Sequence, residues 1–156
     1  MNILDENIPE DQRSQLLTWG VSVHQVGFDV GRKGMKDEEI IPFLHSLRDP
    51  SFFTRDLGFY ERKLLHSRYC LVCLAIEKDE VAIFVRRVLS HAEFDTKAKR
   101  MGTVIRVSHS GFSLWRLKAA LSSCIPFRNR YPHGTTILWP KSKWLARLGD
   151  NSNFTY

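Results

Sequence analysis

Three acidic groups stand within the first 56 positions of this 156-residue chain: Asp5-Glu6-Asn7, Asp37-Glu38-Glu39 and Thr54-Arg55-Asp56. The first and last each follow a short apolar run that reads as a β-strand. Carboxylates at strand ends can converge on one spot, where they repel unless a cation or a proton intervenes. Hard divalent ions such as Mg²⁺ suit that situation, because they take oxygen ligands from one or two carboxylates together with water and substrate phosphate. The pattern therefore predicts a metal-dependent phosphoryl-transfer site.

The elements that must position these acids can be read along the chain. Asn2 to Leu4 reads as a strand, and Pro9 suits the first turn of a helix that carries Leu16 and Leu17 inward and stops at Gly20. Val21, Val23 and Val26 read as a second strand. A basic, glycine-containing loop from Gly27 to Lys36 leads to Asp37, a candidate N-cap for a helix with Ile40, Ile41, Leu44 and Leu47 on one face. Pro42 in its interior predicts a kink or a displaced start. Ser51 to Thr54 reads as a third strand, Phe59 to Leu65 as a short helix and Tyr69 to Leu74 as a fourth strand. Residues 79–92 give the clearest helix, with Val81, Phe84, Val85, Val88, Leu89 and Ala92 at helical spacing. Thr103 to Val107 and Phe112 to Leu117 read as two strands joined at Ser108-His109-Ser110-Gly111.

Strands alternating with helices imply βαβ units, a mainly parallel sheet and helices on its faces. Ligands in such open sheets bind beyond the carboxyl ends of the strands. Asp5 and Asp56 fall on that edge, and the helix begun at Asp37 starts on the same side. Topology, rather than nearness in sequence, is thus expected to gather the three acids.

Composition supports a single soluble domain of ordinary size, with 43% hydrophobic and 26% charged residues. No stretch approaches the roughly 20 apolar residues of a membrane span, and Asp5 and Glu6 do not fit the start of a secretory signal. The expected compartment is cytoplasmic. The net charge of +6 is unevenly spread: residues 1–85 hold 10 Lys and Arg against 14 Asp and Glu, whereas residues 86–156 hold 13 against 3. An acidic front and a basic back suit a polyanionic partner, the front holding metal and the back steering phosphates. From about Pro126 the periodic pattern fades into prolines, glycines and basic residues among Phe127, Tyr131, Trp139 and Trp144. This divides the chain into a domain over 1–125 and a basic, aromatic-containing extension over 126–156. The extension is either a loosely ordered tail, a partner-binding segment or a surface for single-stranded nucleic acid.

Cys70 and Cys73 form a Cys-x-x-Cys, but they lie in a strand, where residues three apart face opposite ways. No second cysteine pair completes a zinc site, so buried thiols are expected. His109, between Ser108 and Ser110, reads as a turn histidine, since nothing supplies the acid and oxyanion hole of a Ser–His nucleophile.

Ile3-Leu4-Asp5-Glu6-Asn7-Ile8-Pro9, Gly20-Val21-Ser22-Val23, Lys36-Asp37-Glu38-Glu39-Ile40 and Phe53-Thr54-Arg55-Asp56 with Phe59 follow one another in an order and spacing that resembles the short PIN-like nucleases, often encoded as toxins of toxin–antitoxin pairs. The similarity covers roughly residues 1–90, with a weaker echo through Trp115. It implies a PIN-like three-layer α/β/α sandwich, acidic residues grouped around Mg²⁺ or Mn²⁺, and endoribonuclease activity. RNA is then the substrate and a cognate antitoxin the expected partner; self-association as a homodimer stays open, and no membrane is implied. Asp5 matches the first-strand acid, Asp37 the helix-start acid and Asp56 the acid after the third strand. The family frequently has a further Asp two residues beyond Asp56, where this chain has Gly58.

On this reading Asp5 and Asp56 ligate the ion, and Asp37 completes the cluster or holds a water. Arg55 or a basic residue of the second half offsets charge on the phosphate. Thr54 and Asn7 orient the ligands. Glu6 and Glu38 support the acidic groups, although Glu38-Glu39 also suits a solvated first helical turn. Two other classes compete. One is a catalytically weak or inactive PIN-like module that binds RNA or protein, favoured by Gly58. The other is a phospho-receiver-like signalling domain, which also has acids after its first strand and an Asp ending its third.

Overall fold

The computed structural model of the protein describes residues 1–117 and 123–127. Seven strands form one sheet: β1 (Asn2–Leu4), β2 (His24–Gln25), β3 (Ser51–Thr54), β4 (Cys70–Leu74), β5 (Thr103–Ser108), β6 (Gly111–Arg116) and β7 (Ser123–Pro126). Their order is β2-β1-β3-β4-β5-β6-β7. The first five pair in parallel, and β6 and β7 extend the sheet as antiparallel strands. The fold is therefore α/β with a mainly parallel sheet, as expected from the alternating pattern.

Period-two alternation sorts the strand residues onto two faces. Leu4, Phe53, Val72, Ile105 and Leu114 are in register on one face. There they meet Leu16 of α1 (Glu10–Thr18) and Val81, Phe84, Val85 and Val88 of α3 (Val81–Ser90). Ile3, Phe52, Leu71 and Val104 line the opposite face and pack against Ile40 and Leu44 of α2 (Asp37–Ser46). Burial on both faces explains why β3 and β4 read as nearly unbroken apolar runs.

Several local expectations are corrected. Of the Val21–Val26 run, His24 and Gln25 form the strand paired with β1, and the Val26 N–H adds a bond to the Leu4 carbonyl at 3.0 Å. Leu17 is exposed: neighbouring helical positions point about 100° apart, and Leu16 takes the core-facing one. Gln12, one turn before Leu16, is buried beside it and accepts the Ala82 N–H at 3.0 Å. Residues 57–64 form two 3₁₀ turns, Leu57–Phe59 and Arg62–Leu64, instead of a continuous helix. The long helix begins as a 3₁₀ turn at Lys78–Glu80 and ends at Ser90. A short α4 (Lys97–Arg100) precedes β5. The helix α2 does begin at Asp37 and runs through Pro42, which lies on its exposed side. Cys70 and Cys73 are buried in opposite cores, as strand geometry requires, and burial pushes their thiols up to about 11 and about 12. Strand β7 reaches Pro126, so the expected boundary at 125/126 falls within a strand; the rest of the proposed extension, 128–156, lies outside the described residues. Among the described residues no helix is long and apolar enough to cross a membrane.

Leu44 is fully buried where α2 meets β1 and β3. Leu44→Ala is expected to cost about 2–5 kcal/mol by lost burial and the cavity left behind. Urea denaturation followed by circular dichroism measures this, and a loss well under 1 kcal/mol would contradict the packing described.

Candidate functional site

Strand order reverses at β1: β2 lies to one side of it and β3 to the other. A crevice opens beyond the carboxyl ends of the strands at such a switch point, because the two connections leave in opposite directions. Asp5 follows β1 there, and the ladder continues one step past the strand, with the Asp5 N–H donating to the Phe53 carbonyl at 2.9 Å. That step sets Asp5 beside Thr54. The buried Thr54 Oγ1 donates to Asp5 Oδ2 at 2.6 Å and accepts the Asp56 N–H at 2.9 Å. One hydroxyl thereby joins the chain after β1 to the chain after β3.

Asp5 is half-buried, and desolvation raises its carboxyl above the ordinary value of 3.8. The Thr54 hydroxyl and the N–H groups of Asn7 and Glu6 work against that shift, while the charge of Asp37 adds to it. Desolvation prevails. Asp37 is thus near enough to act on Asp5, from the first turn of α2. It is not the N-cap: Lys36 takes that position with extended backbone, and Glu39 Oε2 closes the turn by accepting the Lys36 N–H at 2.8 Å. Exclusion from the cap leaves the exposed Asp37 side chain without that structural duty.

Asp56 is exposed and is the cap of the turn that follows, with Oδ1 accepting the Gly58 N–H at 2.7 Å. Its charge reaches the Cys73 thiol. Glu6 turns elsewhere. Its Oε2 accepts the Gly34 N–H at 2.7 Å, and its carboxylate lies against Gly27, whose positive φ of 79° and close neighbours leave little room for a side chain. Glu6 therefore ties down the glycine-containing basic loop rather than joining the acids. Asn7 contributes its backbone N–H to Asp5, and Glu38 is an exposed residue of the first turn of α2. Arg55 Nε donates to the Ile76 carbonyl beyond β4 at 3.3 Å. His109 sits in the β5–β6 turn and pairs with Glu80 at 2.9 Å.

Sequence reading missed Gln25. Its buried Nε2 lies within hydrogen-bond reach of three carbonyls, those of Asp5 (3.2 Å), Glu6 (3.1 Å) and Ile8 (2.8 Å). A single amide thereby fixes the loop that presents Asp5. The only signal in the sequence is a glutamine at the apolar approach to Val26.

Among the described residues no three Asp, Glu, His or Cys side chains are grouped closely enough to form a ready metal cage. The expected convergence is thus partial. Asp5 and Asp56 are joined through Thr54 and the charge of Asp37 reaches Asp5, but Asp56 leans on its own turn. This donor set fits an ion that keeps much of its water and takes one or two carboxylates, the habit of Mg²⁺ and the closely similar Mn²⁺. It does not fit a closed all-protein site.

The raised Asp5 value has a sign for stability. A proton binds Asp5 more tightly in the folded state, so this group favours folding below its unfolded value. That contribution is lost as pH rises through the folded value. Asp5→Asn is therefore expected to melt above wild type at pH 7 in chelator, with the gap closing as pH falls toward 4. Calorimetry across that range measures it; a variant less stable than wild type at pH 7 would contradict the account.

No family model matches the chain, and no match is found among curated proteins or among solved structures.

Proposed function

We propose that this chain is a PIN-like, metal-dependent endoribonuclease that hydrolyses RNA phosphodiester bonds at the Asp5–Asp37–Asp56 edge. The observation that carries the reading is the Thr54 hydroxyl, which engages the Asp5 carboxylate and the Asp56 backbone together at the sheet's switch point. Asp5 is the primary candidate ligand for Mg²⁺ or Mn²⁺, because a half-buried carboxylate with a desolvation penalty gains most from a cation. Asp37 and Asp56 approach from the two flanking elements and supply further oxygens, directly or through water. When bound, such an ion neutralises phosphate charge and acidifies water. Thr54 holds Asp5 in one orientation, and Gln25 holds the loop that carries it. A cognate antitoxin belongs to the same resemblance and is proposed on that ground alone.

A second reading has its own support. Because Asp56 Oδ1 already accepts the Gly58 N–H, one carboxylate oxygen serves the turn, as it would in an RNA-binding module with weak or no catalysis. Cleavage of an unstructured RNA in Mn²⁺ separates the two. Asp5→Asn and Asp56→Asn are each expected to lower the rate by about 100-fold or more, with unchanged circular dichroism. Equal rates in all three proteins would overturn the nuclease reading. RNA bound by wild type without Mn²⁺-dependent cleavage would establish the second one.

Gly58 gives an independent test. A Cβ there would lie 3.0 Å from Asp56 Oδ1, and the backbone is not in the left-handed region, so a side chain fits if Asp56 yields slightly. Gly58→Asp is expected to tighten Mn²⁺ binding by about tenfold, read by calorimetric titration. Unchanged or weaker affinity would argue against a metal at this edge.

A further inference from the structure

The acidic edge is one end of a longer row. Thr54 is in register with Cys73, Cys73 with Arg106, Arg106 with Ser113 and Ser113 with Cys124. Residues in register on adjacent strands share a face. The 2.6 Å Thr54–Asp5 bond and the 3.7 Å Ser113 Oγ–Cys124 Sγ contact confirm this at both ends. The row lies two residues beyond Ile3, Phe52, Leu71 and Val104, on the α2 side of the sheet.

The two halves of that face differ. Over β1 and β3 it is covered by α2; toward β5, β6 and β7 the row becomes accessible, with Arg106 and Cys124 exposed and Ser113 half-buried. Arg106 is the one charge in the run Thr103–Val107, among Val104, Ile105 and Val107. Among the described residues no carboxylate forms an ion pair with it. A lone cation in a strand whose other face is core has no structural task that an uncharged residue would fail. The Tyr60 phenol lies within electrostatic reach of Arg106, Cys73 and Cys124, and its ring stacks on Trp115 at 4.2 Å between centroids. Both rings are half-buried.

We infer that Arg106, with the Tyr60–Trp115 stack and Ser113, forms the track that carries a single-stranded RNA away from the acidic edge. Arg106 is three strand spacings from the β1 end that carries Asp5, about 14 Å, so its guanidinium meets a phosphate further along the strand than the one at Asp5. Phosphate on a guanidinium and a base on an aromatic face are the two contacts by which single strands are held without base reading. A folded duplex offers its phosphates but not its base faces to such a surface. An acidic peptide would satisfy Arg106 alone and leave the aromatic pair unused.

This inference rests on the nuclease reading for the identity of the strand, but it is tested without cleavage. The full chain is titrated in EDTA with a fluorescent 12-nucleotide oligouridine, comparing wild type with Arg106→Glu and with Arg86→Glu. Arg86 is exposed on α3, across the sheet. Arg106→Glu is expected to weaken binding about tenfold or more, and Arg106→Ala to lower the slope of log affinity against log salt by about 0.7. Arg86→Glu is expected to bind like wild type. A 4-thiouridine oligomer irradiated with wild type is expected to cross-link within the peptides holding Tyr60 or Trp115. Wild-type affinity in Arg106→Glu, absence of binding by wild type, or cross-links confined to the α1–α3 face would each overturn the track. Binding with the expected Arg106 dependence but no Mn²⁺-dependent hydrolysis would keep the track and reject the nuclease.

Discussion

A hydroxyl buried at the end of β3 holds the candidate site together. Thr54 Oγ1 donates to Asp5 and accepts from Asp56, so it satisfies a desolvated carboxylate and a turn N–H in one place. Both bonds depend on parallel register, because a one-residue slip of β3 against β1 would send the hydroxyl to the other face. The apolar cores on the two faces enforce that register. Phe52 and Phe53 are fully buried on opposite sides, and neither can exchange places without emptying one core and exposing the other. Hydrophobic packing throughout the sheet thereby decides where one carboxylate points.

That carboxylate is held against its own preference. Burial raises Asp5, and the donors around it recover only part of the loss. A group selected for stability alone would be neutral or more exposed, so the cost favours a role in binding charge. Gln25 strengthens the point. Its two side-chain N–H groups are shared among three carbonyls of the Asp5 loop while, among the described residues, its Oε1 has no partner, an arrangement that fixes loop geometry more than it adds net stability. Further along the same row stands the complementary charge, with Arg106 unpaired by any described carboxylate. Separation of the two signs along one face suits a polyanion that bridges them.

How much of this was legible in the sequence depends on what decides each feature. β1, β3, β4 and α3 were legible because burial is written as apolar periodicity. β2 was overread, since Val21 and Val23 serve the α1 side and Val26 the other, and the strand itself is His24 and Gln25. β7 gave no signal: it is an exposed outer strand ending in proline, with no apolar alternation to mark it. Within the site, Asp5, Thr54 and Asp56 were found from their positions at strand ends. Lys36 displaced Asp37 as cap because capping here uses the Glu39 side chain and backbone groups, which residue type does not reveal. Gln25 and Arg106 were invisible because their meaning comes from cross-strand register, a long-range property.

The proposed function stands or falls on whether the edge defined by Asp5 and its Thr54 link binds a divalent cation. Anomalous diffraction from crystals soaked in Mn²⁺ tests it most directly. A peak is expected within bonding distance of the Asp5 carboxylate. Full Mn²⁺ occupancy elsewhere with no peak at Asp5 would contradict it.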